Sequence, residues 1–155
     1  MPCRIIRIVF IIMKTFSKAY GLAGLRVGYG AGHPQMIALL ERVRQPFNVS
    51  MAGQVAASAA LRDVAHLRRS VEINRQGLAQ LQSGLKALGL SALPSVGNFI
   101  TFDLGQPAAP CYEALLRQGV IVRPVANYGM PHFLRVSVGL PEENQRFLDA
   151  LKSAI

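Results

Sequence analysis

Thr15-Phe-Ser-Lys-Ala-Tyr-Gly-Leu-Ala-Gly-Leu-Arg-Val-Gly-Tyr29 is the stretch on which the reading of this 155-residue chain turns. It follows Ile8-Val-Phe-Ile-Ile-Met13, a β-branched and nearly unbroken apolar run of the kind expected for a strand covered on both faces in a parallel sheet. The polar segment Lys14 to Lys18 therefore sits at a strand's C-terminal end, where ligands collect in open α/β sheets. A lysine that attacks an aldehyde needs a lowered pKa, which desolvation and a neighbouring cation supply; Lys18, beside Arg26 at the end of a buried strand, is placed for both. The hydroxyls of Thr15 and Ser17 and the guanidinium of Arg26 are suitable donors to a phosphate, and the glycines between them let backbone approach a ligand. Taken alone, a Ser-Lys pair is ordinary surface.

Outward from this stretch, residues Leu25 to Tyr29 read as one further short strand, and His33-Pro34 leads into a helix over Gln35 to Arg44. Pro46 and Asn48 break the chain before an alanine-rich helix over Met51 to Leu61. Leu67, Val71, Leu78, Leu81, Leu85 and Leu88 recur at steps of three, four and seven, which predicts a helix from about 64 to 88, ended by Gly89. Beyond Leu90 short strands (Phe99 to Phe102, Val120 to Arg123, Phe133 to Val138) alternate with helices at Pro110 to Gln118 and Pro141 to Ala154. The last helix opens with Pro-Glu-Glu, acids on the positive end of its dipole, and is expected to bury Phe147, Leu148, Leu151 and Ile155. The alternation argues for an α+β unit with helices on one face of a small sheet.

Composition narrows the function. Hydrophobic residues make up 51% and charged ones 16%, the balance of a folded chain. Lys and Arg number 17 against 8 acids, a formal charge of +9, and most of the cations are arginine. Such an excess invites anionic partners, although most surface arginines are simply solvated. Cys3 and Cys111 give neither a disulfide framework nor metal-ligand spacing, and a reducing cytoplasm fits. His33, His66 and His132 are scattered, so no metal site is expected. Gly28-Tyr-Gly-Ala-Gly32 lacks G-x-G-x-x-G spacing. The basic flank of Arg62, Arg68, Arg69 and Arg75 has no aromatic interleaving or reader motif, so no nucleic-acid partner is expected. The apolar run at the start is too short for a membrane span.

The quoted stretch resembles the S-K-x-x-G-L-A-G-x-R-x-G segment of class I and II aminotransferases. Arg44-Gln-Pro-Phe-Asn-Val49 and Val96-Gly-Asn-Phe-Ile-Thr-Phe102 are similar to segments of histidinol-phosphate aminotransferases. So are Gly119-Val-Ile-Val-Arg-Pro124, Phe133-Leu-Arg-Val-Ser-Val-Gly139 and Glu142-Glu-Asn-Gln-Arg-Phe-Leu-Asp-Ala-Leu151, and the likeness runs from about residue 8 to 155. It implies an α/β fold in which residues 1–60 finish the large domain of a fold-type I, pyridoxal-phosphate-dependent transferase and residues 61–155 form its small C-terminal α+β domain. It implies that Lys18 is the catalytic, Schiff-base lysine. Ser17, Arg26 and Thr15 would then hold the pyridoxal 5'-phosphate, with Arg135 clamping the substrate's anionic end and Arg123 a second contact. By bare strand alternation, without the resemblance, either arginine reads as a solvated edge residue.

The implied reaction moves an amino group between L-histidinol phosphate and 2-oxoglutarate in histidine biosynthesis, in a cytoplasmic homodimer. Related activities on aromatic amino acids or phosphothreonine are alternatives, as is a non-catalytic remnant that keeps a basic binding surface. Two departures accompany the likeness. A complete member of the family is about twice as long or more, and its N-terminal portion carries the aspartate that pairs with the cofactor's ring nitrogen, the stacking aromatic and further phosphate contacts. Met1 to Arg7 also fit the family poorly. A chain without that portion is expected to leave apolar sheet edges uncovered and to lack independent catalysis.

Overall fold

A computed structural model describes residues 10–155. The expected beginning of the first strand at Ile8 and Val9, Cys3, and the Met1 to Arg7 stretch lie outside the described residues. The chain forms two compact units, one up to Arg68 and the other Arg69–Ile155.

The first unit opens with β1 (Ile11–Thr15), a 3-10 turn at Ala23–Leu25, and β2 (Gly28–Gly32). Helices α1 (Pro34–Val43) and α2 (Met51–Arg62) follow, and α3 (Val64–Ala87) begins here. The parallel, doubly covered strand expected at Ile8 to Met13 is not what forms. β1 pairs antiparallel with β2, Thr15 opposite Gly28 and Ile11 opposite Gly32, and all five of its residues are exposed. Met13 is 82% exposed and Phe10 74%. Apolar β-branched sequence sets strand propensity, but burial depends on what packs against it. The strand expected at Leu25 to Tyr29 is displaced towards Gly32, because Leu25 ends the 3-10 turn and Arg26 takes up a left-handed conformation, φ 54°. α1 starts on Pro34, whose missing N–H costs nothing at a first helical position. α2 is capped by Ser50, whose Oγ accepts from Gly53 N at 3.0 Å, a contact worth about 1 kcal/mol.

The second unit has a four-stranded antiparallel sheet in the order β3 (Ser91–Ala92), β4 (Phe99–Asp103), β6 (Phe133–Ser137), β5 (Arg123–Pro124). α4 (Ala108–Arg117) and α5 (Pro141–Ala154) complete it, together with a 3-10 turn at Ala126–Tyr128. Period-2 alternation divides the sheet's residues. Ile100 and Phe102 of β4 and Leu134 and Val136 of β6 are buried in one cluster with Leu81 and Leu85 of α3, Cys111 and Leu115 of α4, and Phe147, Leu148 and Leu151 of α5. The helices therefore cover one face, and Phe99, Thr101, Phe133 and Arg135 stand on the other, half-buried. Of the strand expected at Val120 to Arg123 only Arg123 is in β5; Val120 and Val122 are buried ahead of the ladder. Ile155, expected in the core, follows the last helical residue and is exposed.

One buried polar group ties this unit together. Asn144, 2% exposed, accepts from Gly139 N at 2.9 Å and donates to Gln80 Oε1 and Gly139 O, both at 3.1 Å. Its neighbour Glu143 accepts from Leu140 N at 2.7 Å, closing the start of α5. α3 reaches this corner through Gly77, where an added Cβ would lie 2.4 Å from Val138 Cγ1 and 3.0 Å from Asn144 Nδ2. Alanine at position 77 gains about 1 kcal/mol of helix propensity but drives a methyl into a stiff β-branched side chain, which costs about 1–3 kcal/mol. Urea denaturation is accordingly expected to show Gly77→Ala less stable than the parent chain. Leu81→Ala, which empties a fully buried site, should lose about 2–5 kcal/mol.

Candidate functional site

The segment between β1 and β2 is closed at its neck by one backbone hydrogen bond, Phe16 N to Val27 O at 3.0 Å. Phe16, 3% exposed, and Val27 are buried with Ala57 of α2, and Phe16 packs against the rings of Tyr20 at 4.9 Å and Tyr29 at 5.9 Å. Inside the neck, Leu22 N donates to Phe16 O at 2.9 Å and Gly21 N to Lys18 O at 2.8 Å. Residues 17–26 are thus a folded loop whose ends are held together by a small apolar core.

That closure brings Thr15, Ser17 and Arg26 onto one open depression of about 550 Å³, lined also by Lys14, Tyr29 and the backbone of Gly28 and Gly30. Thr15 Oγ1 accepts from Ser17 N at 3.1 Å. Arg26 donates from one terminal nitrogen to Ala23 O at 2.9 Å and to Ser17 Oγ at 3.4 Å. A non-glycine residue at positive φ is held by its surroundings at some cost, and such residues gather at ligand sites. Here the left-handed turn folds the arginine back over the loop. Among the described residues the ion pairs join Glu41 to Arg44 and Glu72 to Arg75, and none reaches Arg26. A hydroxyl pair and a cation without a carboxylate suit a phosphate.

Lys18 follows Ser17 directly but does not line that depression, and its side chain is exposed. The desolvation expected for it is not supplied by the described residues, because the strand that was to be buried is itself exposed. A larger depression of about 760 Å³ shares Val27, Gly28 and Tyr29 with the first but is otherwise walled by residues such as Phe16, Phe47, Ala57 and Leu61. None of Ser17, Lys18 or Arg26 lines it, and the cation that does, Arg44, is paired with Glu41.

In the second unit, Arg123 of β5 and Arg135 of β6 are directly opposite each other, and Thr101 of β4 is opposite Arg135 on the other side. Neither arginine has a carboxylate partner among the described residues. Arg135 lies over the ring of Phe99, 4.4 Å from its centroid, and Arg123 donates to Tyr128 Oη at 3.1 Å. Phe99 and Tyr128 were not among the expected site residues. The only sequence signal for Tyr128 is an aromatic before Gly129, five residues after Arg123.

The family model for class I and II aminotransferases matches residues 6–151. This chain belongs to that family. Among curated aminotransferases it is similar to "Histidinol-phosphate aminotransferase 2" of Pseudomonas fluorescens Pf0-1, 58% identical over 94% of this chain and 39% of that protein. The protein of the same name from Pseudomonas aeruginosa PAO1 is 60% identical over 91% of this chain and 38% of its own length. Among solved aminotransferases, the histidinol-phosphate aminotransferase of Sinorhizobium meliloti in complex with pyridoxal-5'-phosphate superposes with a TM-score of 0.83. It is 31% identical, over 93% of this chain and 40% of that one. The α/β fold is that of these aminotransferases, and the chain spans about two fifths of their length. Among the described residues, no helix is long and apolar enough to cross a membrane.

The neck is open to a direct test. α2 approaches it through Gly53, where a Cβ would lie 2.5 Å from Val27 Cγ2 and 3.1 Å from Ser50 Oγ. Gly53→Ala is expected to push Val27 aside and to speed amide hydrogen exchange at Phe16 by about tenfold, corresponding to about 1.4 kcal/mol of lost local stability. Unchanged protection at Phe16 would show that the neck does not rely on this contact.

Proposed function

We propose that this chain carries the lysine segment and the substrate-anion strands of a pyridoxal-phosphate-dependent aminotransferase acting on L-histidinol phosphate and 2-oxoglutarate. The observation that carries the proposal is the convergence of Thr15, Ser17 and Arg26 on one depression immediately before Lys18. These donors fit a phosphate: Arg26 offers a charged fork, and Ser17 and Thr15 offer hydroxyls that can turn to donate. Pyridoxal phosphate, when bound, supplies an electron sink that protein side chains lack. Thr15, Ser17 and Arg26 fix its phosphate end in this reading, and Lys18 presents Nζ to its aldehyde end. In the neutral state Lys18 Nζ takes the proton from the substrate's Cα as general base.

Arg135, with Arg123 opposite, binds the substrate's anionic end. Like charges directly opposite each other on neighbouring strands disfavour the pairing, and a ligand with negative charge offsets that. A guanidinium fork accepts a phosphate or a carboxylate bidentately, which allows one clamp to take histidinol phosphate and 2-oxoglutarate in turn. The names of the relatives support histidinol phosphate, and with it histidine biosynthesis, over an aromatic amino acid or phosphothreonine. Amino transfer as a whole is proposed for these residues together with the part of the relatives' length outside the match. A cytoplasmic homodimer belongs to the same reading.

Covalent labelling tests the lysine. The chain is incubated with pyridoxal phosphate, reduced with borohydride and mapped by peptide mass spectrometry, with Lys86 and Lys152 as internal controls. Lys18 is expected to carry the label well ahead of these two, and Lys18→Ala should lose the excess. Equal labelling of all three lysines would contradict a dedicated site.

A further inference from the structure

Both cations of the proposed clamp are held by aromatic rings where carboxylates would be the ordinary partners. Arg135 rests on Phe99. Arg123 lies 5.8 Å from the ring centroid of Tyr128 and donates to its hydroxyl at 3.1 Å. A carboxylate in either place would fix the guanidinium but cancel the charge that an anion needs. A ring and a phenol oxygen hold its direction and leave the charge intact.

The backbone that carries this hydroxyl is well fixed. Tyr128 closes the 3-10 turn Ala126–Tyr128, its N–H donating to Val125 O at 2.9 Å, and Val125 is buried at 3% exposure. Gly129, at φ 75°, reverses the chain directly afterwards, and its N–H donates to Ala126 O at 3.0 Å. Arg123, by contrast, stands on the two-residue edge strand β5 with one neighbouring strand. A long, flexible side chain on a short edge strand loses much rotamer entropy on binding a ligand, unless something has already restricted it.

We propose that Tyr128 is a positioning residue: through its hydroxyl it holds the Arg123 guanidinium beside Arg135, so that the two cations meet one phosphate group together. Its Oη accepts from Arg123, so its own proton is directed elsewhere and does not compete for the guanidinium. The inference rests on the reading of Arg123 and Arg135 as an anion clamp, and a single titration separates the two claims.

Inorganic phosphate is titrated into the chain at constant ionic strength while the arginine Nε–Hε resonances are followed by NMR, in the parent chain and in Tyr128→Phe. That variant keeps the ring and removes only the hydroxyl of a residue that is 59% exposed. In the parent chain Arg123 and Arg135 are expected to shift together on one binding curve. In Tyr128→Phe the apparent affinity should fall about three- to tenfold, the range for losing one hydrogen bond. Arg135 should still respond, and the thermal midpoint should not change, which a purely structural role for the hydroxyl would not allow. Affinity equal to the parent chain's would overturn the role of Tyr128 and leave the clamp standing. No response of either arginine in the parent chain would overturn the clamp and the inference with it.

Discussion

The backbone hydrogen bond from Phe16 to Val27 is the constraint on which the loop between β1 and β2 depends. It joins two residues that are buried although the strands they flank are exposed, so a very small core has to hold the loop 17–26 shut. Every proposed phosphate contact lies at or just beside that neck: Thr15 before Phe16, Ser17 after it, and Arg26 next to Val27. The left-handed turn at Arg26 then points the guanidinium back at Ser17. Opening the neck would scatter the donors while leaving each of them chemically intact.

The Arg69–Ile155 unit solves the complementary problem with a sheet. Its period-2 pattern sends Ile100, Phe102, Leu134 and Val136 into the helices and leaves Thr101 and Arg135 on the opposite face, with Arg123 alongside on β5. Two arginines directly opposite each other on neighbouring strands disfavour the pairing. The core around Leu81, Leu85, Leu115 and Leu151 easily outweighs that, since each fully buried leucine contributes about 1.5–3 kcal/mol. The stability of one face thereby sustains a like-charge pair on the other, which an anionic ligand would relieve in the proposed reading.

Much of this was legible in the sequence. The helices α1, α2, α3 and α5 follow from apolar spacing, from the alanine-rich run Met51 to Leu61 and from Pro34, Gly89 and Pro141, which are local signals. The segment Thr15 to Tyr29 pointed to a chemistry through its resemblance to the aminotransferase segment, a likeness that one short stretch of chain can carry. What was not legible depended on distant partners. The run Ile11 to Met13 reads as buried from its composition, yet its burial would have to come from strands and helices packing on it, and it stands exposed. Likewise, Val120 and Val122 carry strand propensity but pack into the core ahead of a ladder that, of the residues expected there, Arg123 alone joins. Tyr128 acquires meaning only once β5 and the following turn place its hydroxyl on Arg123.

The central claim is that Thr15, Ser17 and Arg26 form a phosphate cradle. Comparing the affinities of the chain for pyridoxal phosphate and for unphosphorylated pyridoxal, by equilibrium dialysis, in the parent and in Arg26→Ala, tests it most directly. A preference for the phosphorylated compound of about tenfold or more is expected, as for charge-assisted hydrogen bonds of about 1.5–3 kcal/mol, and it should collapse in Arg26→Ala. Equal affinities in the parent chain, or a preference that survives the loss of Arg26, would contradict the claim.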